Sequence, residues 1–157
     1  MRTKVSPTTP GKHHAAMPYL VVKDAAEAIE FYHRAFGAKQ VECVTCHGKI
    51  GQAEIRIGSS HVKLSDEYPE TGLLSPQSVG GSPAKVVLHV PDVDRLLIKA
   101  VATGAKLCDP VVRSGNSSCV DSVEDPFGHI WRIEATRKRA STTKSASAPR
   151  HGTKASG

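Results

Sequence analysis

The feature that most constrains the fold is an internal duplication. Residues 19–39 (YLVVKDAAEAIEFYHRAFGAK) and residues 87–106 (VLHVPDVDRLLIKAVATGAK) follow one plan: an apolar run, a Val-x-Asp signal, an amphipathic stretch and Gly-Ala-Lys. The aspartates of the two signals, Asp24 and Asp92, lie 68 residues apart. Shared order at a fixed spacing predicts two copies of one supersecondary unit.

The local signals of the first copy predict a strand, a helix and three further strands. Asp24 is a good helix N-cap with Glu27 three residues later, and Gly37 supplies the left-handed residue that ends a helix. The β-type runs KQVECVT, GQAEIRIG and HVKLSD follow. The second copy repeats this order, with Gly104 closing its helix and an Asp-Pro-Phe-Gly hairpin turn at 125–128. The predicted fold class is α+β, with tandem βαβββ modules whose sheets curl around a shared cleft.

Charge and composition set the domain boundaries. The chain has 157 residues and a net charge of +6. The ends, 1–16 and 137–157, hold three and six basic residues and no acid, so the middle carries −3. The basic balance therefore belongs to the tails, and we expect no nucleic-acid partner beyond a contact of the C-terminal tail. We predict disordered tails at 1–16 and 137–157 and one domain at 17–136, in which module one spans 17–72, the linker 73–83 and module two 84–136.

One short motif points elsewhere. Cys43, Cys46 and His47 spell C-x-x-C-H, the spacing of a haem attachment site. The N-terminus shows no apolar core or cleavage site of a secretory signal, so we expect a cytoplasmic protein with reduced thiols and no route to haem attachment. The odd spacing of Cys43 and Cys46 also predicts that a strand sends them to opposite faces. No apolar run approaches the length of a membrane span.

Four stretches carry a resemblance to a known family: residues 18–38 (PYLVVKDAAEAIEFYHRAFGA), 50–58 (IGQAEIRIG), 64–83 (LSDEYPE with SPQSVGGSP) and 124–131 (EDPFGHIW). They resemble the glyoxalase/bleomycin-resistance/dioxygenase, or vicinal oxygen chelate, superfamily, and within it the PhnB-like branch. The resemblance implies paired βαβββ modules and a homodimer, because modules of this fold often pair across chains. It implies no single activity, since the fold hosts isomerases, lyases, dioxygenases and proteins that sequester drugs.

The resemblance also implies where a metal would be held, namely by one residue from the first and one from the last strand of each module. Counting back seven residues from the capping aspartates gives Met17 and Lys85, and matching the last strands gives Lys63 and Arg132. Three cationic side chains repel a divalent cation, and a thioether is a weak donor for it. We therefore predict no cofactor and a pocket for a small, anionic organic ligand, with Tyr19 available to a ligand hydroxyl.

Two alternatives stay open for this region. The cationic side chains can point to solvent or pair with Glu54 or Glu134. A register shift of two residues keeps the strand faces and brings His61, His89 and Glu134 forward, a set that binds a divalent metal such as Fe, Mn, Ni or Zn. The chain would then be a metal-dependent lyase, isomerase or dioxygenase. Against this, many PhnB-like chains carry histidine at the position of Val87.

The loop before the last hairpin departs from the family pattern. The branch commonly carries an aromatic-Gly-Asp-Arg segment, whereas residues 114–121 read SGNSSCVD and place Cys119 where the arginine stands. An activity is therefore not transferred by resemblance. A reactive Cys119 and an idle one are both compatible with the sequence.

Two further expectations concern individual side chains. Asp66, Glu67 and Glu70 show no general-base spacing and are predicted to be solvated in a polar loop. Trp131 alternates with Arg132 along the last strand, so we predict that its ring faces the helix layer.

Overall fold

The computed structural model describes residues 16–108 and 121–136, and both modules have the predicted βαβββ order. The predicted tails lie outside these residues, apart from Ala16, and so does Cys119. A 3-10 turn (Pro69–Thr71) lies at the end of module one, and the linker contributes a short helix α2 (Pro76–Val79). Module one consists of β1 (Tyr19–Val22), α1 (Ala25–Phe36), β2 (Lys39–Cys46), β3 (Lys49–Ile57) and β4 (Ser60–Asp66). Module two consists of β5 (Lys85–Val90), α3 (Val93–Thr103), β6 (Lys106–Leu107), β7 (Asp121–Glu124) and β8 (Ile130–Ala135).

Each module forms its own four-stranded sheet. The strand orders are β1-β4-β3-β2 and β5-β8-β7-β6, and the first and last strands of each module run parallel. A parallel pair needs a long crossover, which the helix and the two intervening strands provide. The two sheets therefore repeat one topology, as the duplication predicts.

The predicted capping residues fix both helices. The Asp24 carboxylate accepts a hydrogen bond from the Glu27 N–H at 2.9 Å, and Asp92 accepts one from the Arg95 N–H at 3.0 Å. At the other end, Gly37 and Gly104 take φ values of 69° and 124°, which side chains with a Cβ disfavour. Local sequence therefore sets the length of both helices.

Side chains alternate between two faces of each sheet. One face packs against the helices and buries residues such as Leu64 and Trp131, and the Trp131 ring contacts Phe36 of α1, which confirms its predicted orientation toward the helix layer. We call the opposite one the open face. In module one it carries Tyr19, Glu54, His61 and Lys63, and in module two it carries Lys85, Val87, His89, Arg132 and Glu134.

The β7–β8 turn holds the two modules together. Asp125, which is 3% exposed, accepts hydrogen bonds from the Tyr32 hydroxyl of α1 at 2.7 Å and from the Trp131 indole N–H at 2.9 Å. The ring of Phe127 packs against Tyr32, and His129 Nε2 donates to the Val21 carbonyl at 2.9 Å. We call Tyr32, Asp125, Phe127, His129 and Trp131 the joint.

The prediction of a solvated acidic loop is wrong for Asp66. This residue ends β4, is buried, and accepts hydrogen bonds from the Ala25 N–H at 2.7 Å and the Ile50 N–H at 2.6 Å. Residues adjacent in sequence cannot reveal this role, because the two donors belong to the start of α1 and to β3. Asp66 therefore stabilises the packing of α1 on the sheet.

Glu67 also has a structural partner. Its carboxylate accepts hydrogen bonds from the Ser75 N–H at 3.0 Å and the Ser78 hydroxyl at 2.7 Å, and thereby fastens the linker. These bonds, with the backbone bond from Ser75 first, lower the pKa of Glu67 to about 2. The acidic loop is thus partly a clamp on the linker.

The C-x-x-C-H segment forms an ordinary β-hairpin. Cys43 is half-buried against the core, whereas Cys46 is exposed, so the predicted separation of the two thiols is confirmed. His47 and Gly48 form the turn at φ values of 50° and 79°. No helix among the described residues is long and apolar enough to cross a membrane.

Candidate functional site

The predicted cationic residues lie on the open faces of both sheets. Tyr19 lies beside Lys63 in the parallel pairing of β1 with β4, and Lys63 in turn lies opposite Glu54 on β3. In module two, Lys85 begins β5 beside Ile130, and Arg132 lies beside Val87. Met17 is half-buried and lies two residues before the start of β1, rather than belonging to it as the sequence suggests.

Arg132 already has a carboxylate partner. Its Nε lies 2.7 Å from Glu134 Oε1, and His89 Nε2 lies 3.3 Å from the other oxygen of the same carboxylate. Because Arg132 and Glu134 are partly exposed, their ion pair contributes little to stability and can exchange with a ligand. One of the open alternatives, pairing of a cation with Glu134, is therefore what the structure shows for Arg132.

Module one has a similar pair of its own. His61 Nδ1 lies 2.6 Å from Glu54 Oε1, and both side chains are largely shielded from solvent. The hydrogen bond fixes the orientation of the imidazole. His61 and His89 thus each contact a carboxylate of their own module.

A cleft of about 650 Å³ opens between the two modules. One wall is the β3–β4 turn with the start of β4, and the other is the edge of β5 with the start of α3. Phe36 and Trp131 close it on the helix side, with ring centroids 4.8 Å apart. We call this space the intermodule cleft. It is lined by Ala16, Pro18, Phe36, Ile57, Gly58, Ser59, Ser60, His61, Val62, Val86, Val87, Leu88, His89, Val90, Pro91, Leu96 and Trp131.

The cleft and the predicted cationic site are neighbouring but different places. Val87 and His89 belong both to the cleft lining and to the open face of β5, and Arg132 is the register partner of Val87. The alternative set contributes His61 and His89 to the cleft lining, while Glu134 contacts His89. The structure therefore brings the two histidines to one space, whereas Lys63 and Lys85 are not part of its lining.

The donor set does not fit the metal centre that the family implies. Within residues 16–108 and 121–136, no group of three His, Cys, Asp or Glu side chains could hold a metal ion. His89 and Glu134 supply two donors, but the guanidinium of Arg132 contacts the same carboxylate and would repel a cation there.

Two buried hydroxyls of module one lack a hydrogen-bond partner among the described residues: those of Ser65 and Tyr68. Ser65 follows Lys63 on the same face of β4. Burial and then the neighbouring Asp66 carboxylate raise the pKa of Tyr68. A buried polar group of this kind favours a polar ligand group or a water molecule nearby.

Sequence reasoning missed the residues that shape the cleft. Phe36 reads as a core residue of α1, and Trp131 as one of β8, because nothing local shows that their rings meet across the modules. Burial, followed by the Asp125 carboxylate, raises the pKa of Tyr32 well above its usual value, which marks the joint as a closed environment. The one available signal was the Asp-Pro-Phe-Gly turn, whose phenylalanine is unusually large for a solvent-exposed hairpin.

Two βαβββ modules with a cleft between them define a paired-module α+β fold. The family model for the Glyoxalase/Bleomycin resistance protein/Dioxygenase superfamily matches residues 11–133, and the chain belongs to this superfamily. An uncharacterised protein of Mycobacterium bovis is 37% identical over 123 residues, covering 76% of this chain and 81% of that protein. An uncharacterised protein of Mycobacterium tuberculosis has the same identity over 76% of this chain and 72% of its own length.

Solved structures confirm the fold. A gene product of Arabidopsis thaliana matches with a TM-score of 0.62 at 24% identity, over 78% of this chain and 98% of that chain. TioX from a Micromonospora species matches with a TM-score of 0.58 at 20% identity, over 81% of this chain and 99% of that chain. The fosfomycin resistance protein FosX from Listeria monocytogenes matches with a TM-score of 0.64 at 13% identity, over 83% of this chain and 96% of that chain. Identities this low establish the fold alone, and the PhnB-like branch stays a prediction.

Proposed function

We propose that this protein binds a small organic molecule in the intermodule cleft and needs no catalytic metal to do so. The observation that carries the proposal is the cleft itself. Its volume of about 650 Å³ suits a small ligand, and apolar side chains line most of it. His61 and His89 add two polar groups that can orient a ligand.

The proposal is tested by thermal-shift screening of chelator-treated protein against a diverse library of small organic compounds, with calorimetry on the hits. Val87→Phe places a ring in the cleft lining, and Val101→Phe on the outside of α3 is the matched control, since the two valines are 46% and 43% exposed. We expect Val87→Phe to weaken binding at least about tenfold, equivalent to about 1.4 kcal/mol, and Val101→Phe to leave it unchanged. Equal binding by both variants would refute the cleft as the site.

We also propose that the ligand carries an acidic group that reaches the cations of the open face. Arg132 lies beside Val87 of the cleft lining, and its bond to the partly exposed Glu134 can be exchanged for a ligand carboxylate or phosphonate. Lys63, Lys85 and Tyr19 complete the proposed subsite, with Met17 at its edge. Arg132→Met and Lys85→Met should each weaken an acidic hit and spare its neutral amide. Loss of both ligands alike would contradict the subsite.

A metal-dependent lyase, isomerase or dioxygenase is the second candidate. Its support is that His61 and His89 line one cleft, that His89 contacts Glu134, and that one FosX structure is described as a complex with Mn(II) and 1S,2S-dihydroxypropylphosphonic acid. Metal analysis of protein purified without a His tag separates the candidates. Stoichiometric Fe, Mn, Ni or Zn, lost together with ligand binding on chelation, would favour the enzyme. Pairing of two copies and a cytoplasmic location remain part of the proposal.

A further inference from the structure

The two modules correspond residue by residue. The Val22 carbonyl accepts a hydrogen bond from the Glu67 N–H, and the Val90 carbonyl accepts one from the Thr136 N–H, both at 2.8 Å. The first strand and helix of module two therefore follow those of module one by 68 residues, and the last strands by 69. This correspondence gives Tyr32, Asp125, His129 and Trp131 of the joint one counterpart each in the other module.

Three counterparts of joint residues line the intermodule cleft. In β8 the joint uses Trp131 and, just before that strand, His129, whereas β4 has Val62 and Ser60 at these positions. The Asp125 N–H donates to the His129 carbonyl across the β7–β8 turn. Ile57 pairs with Ser60 across the β3–β4 turn in the same way, so Ile57 is the counterpart of Asp125.

The other large groups of the joint are also missing from this side. Eight residues after the capping aspartate, α1 carries Tyr32 and α3 carries Ala100. The turn of module two, 126–128, is one residue longer than the turn Gly58–Ser59 and carries Phe127. Smaller side chains thus stand where the joint has Tyr, Trp and His, no residue corresponds to Phe127, and the cleft is the unfilled counterpart of an aromatic contact.

We infer that the occupant of the cleft is a planar aromatic compound of one or two rings that carries an N–H or O–H donor. This deepens, and rests on, the function proposed above. Phe36 and Trp131, whose ring centroids lie 4.8 Å apart, supply an aromatic wall of the cleft against which such a ring packs, as Phe127 packs against Phe31 and Tyr32 in the joint.

The joint also specifies the donor. His129 Nε2 donates to the Val21 carbonyl. Successive carbonyls of a strand point to opposite sides, and the next one, that of Val22, accepts a hydrogen bond from the Glu67 N–H just after β4. The Val21 carbonyl therefore points away from β4. The residue corresponding to Val21 is His89, on the β5 strand that forms one wall of the cleft. A ligand N–H or O–H takes the place of the imidazole donor there.

Calorimetry on the full chain with three probes tests this inference. The probes are 2-naphthol, 2-methoxynaphthalene, which lacks the donor, and decahydro-2-naphthol, which keeps the hydroxyl but is not planar. We expect 2-naphthol to bind at least about tenfold more tightly than either analogue. Val87→Phe and Ser60→His, which restores the counterpart of His129, should each weaken 2-naphthol binding, and Val101→Phe should not. Circular dichroism checks that each variant is folded.

The outcomes separate the two proposals. Equal affinity for 2-naphthol and decahydro-2-naphthol, with both blocked by Val87→Phe, overturns the aromatic occupant and leaves the cleft as a ligand site. The same holds if library compounds bind in the cleft and 2-naphthol does not. If Val87→Phe changes the binding of no compound, the proposed function itself is refuted, and the inference falls with it.

Discussion

At the scale of single residues, the Asp125 carboxylate joins two modules. It accepts hydrogen bonds from the side chains of Tyr32 and Trp131 and from the backbone N–H groups of Phe127 and His129. A buried carboxylate that accepts hydrogen bonds from all the donors around it stabilises a fold, whereas leaving those donors without an acceptor is costly. The turn is therefore part of the module contact as well as a connection.

Replacing Asp125 should be more damaging than replacing its partner. Asp125→Ala leaves several buried donors without an acceptor, so we expect the free energy of unfolding to fall by about 3 kcal/mol, whereas Tyr32→Phe removes one bond at about 1 kcal/mol. Urea denaturation measures both. The double variant should lose less than the sum, because the two groups share one bond. Strict additivity would show that the bond contributes nothing.

The hydrogen bonds of Glu67 to the linker should weaken at acidic pH. Its pKa falls from 4.5 to about 2 on folding, because the Ser75 and Ser78 bonds favour the charged carboxylate. The unfolded state therefore takes up the proton first, so this contribution is present above pH 4.5 and is lost as the pH falls toward 2. Urea titrations across that window should show a steeper loss of stability in the wild type than in Glu67→Gln. Parallel curves would contradict the prediction.

At the scale of elements, the two helices begin in the same way. Asp24 and Asp92 each cap the N–H three residues later, and each N-cap has an extended backbone. Loss of such a cap leaves helix donors unpaired, and tertiary contacts do not replace them. Repetition of the cap in both modules explains why the helix starts could be predicted from sequence.

The caps should contribute equally. Asp24→Ala and Asp92→Ala are each expected to lower the free energy of unfolding by about 1 kcal/mol, measured by urea denaturation. Asp94→Ala, in the first turn of α3 but without a capping bond, is the matched control and should change stability by less than about 0.5 kcal/mol. If Asp94→Ala lowered the free energy of unfolding as much as the cap variants, the loss would be due to charge and not to the capping bond.

At the scale of the whole molecule, two sheets with one topology meet through a single-sided aromatic joint. Phe127 is buried against Phe31 and Tyr32, with ring centroids 6.1 and 6.3 Å away. Since it belongs to module two and its ring neighbours to module one, its packing couples the folding of the halves. The other side of the same boundary is the intermodule cleft.

The packing of Phe127 should stabilise the fold and couple the unfolding of the two modules. Phe127→Ala should lower the free energy of unfolding by about 3 kcal/mol through the cavity it leaves, and Phe127→Leu by less. In the wild type, unfolding followed by the fluorescence of Trp131, the single tryptophan of the chain, should coincide with far-ultraviolet circular dichroism. Two separate transitions in the wild type would show that the joint does not couple the modules.

The amino-acid sequence alone determined the repeated unit, the helix ends and the side of the sheet on which Trp131 lies. These features depend on local signals: capping residues, left-handed glycines and the alternation of side chains along a strand. The duplication then fixed the topology, because two copies of one pattern fold to one arrangement. The family followed from motifs that span the domain.

Only the tertiary structure decided which residues surround the cleft and which buried groups meet. Tyr32 and Asp125 are 93 residues apart, and Asp66 bonds a helix start 41 residues before it. Such contacts depend on which side chains fill the space between packed elements, and a local pattern carries no information about that volume. The sequence shows both Phe127 and Gly58 as turn residues, and packing makes the first a joint and the second the wall of a cleft.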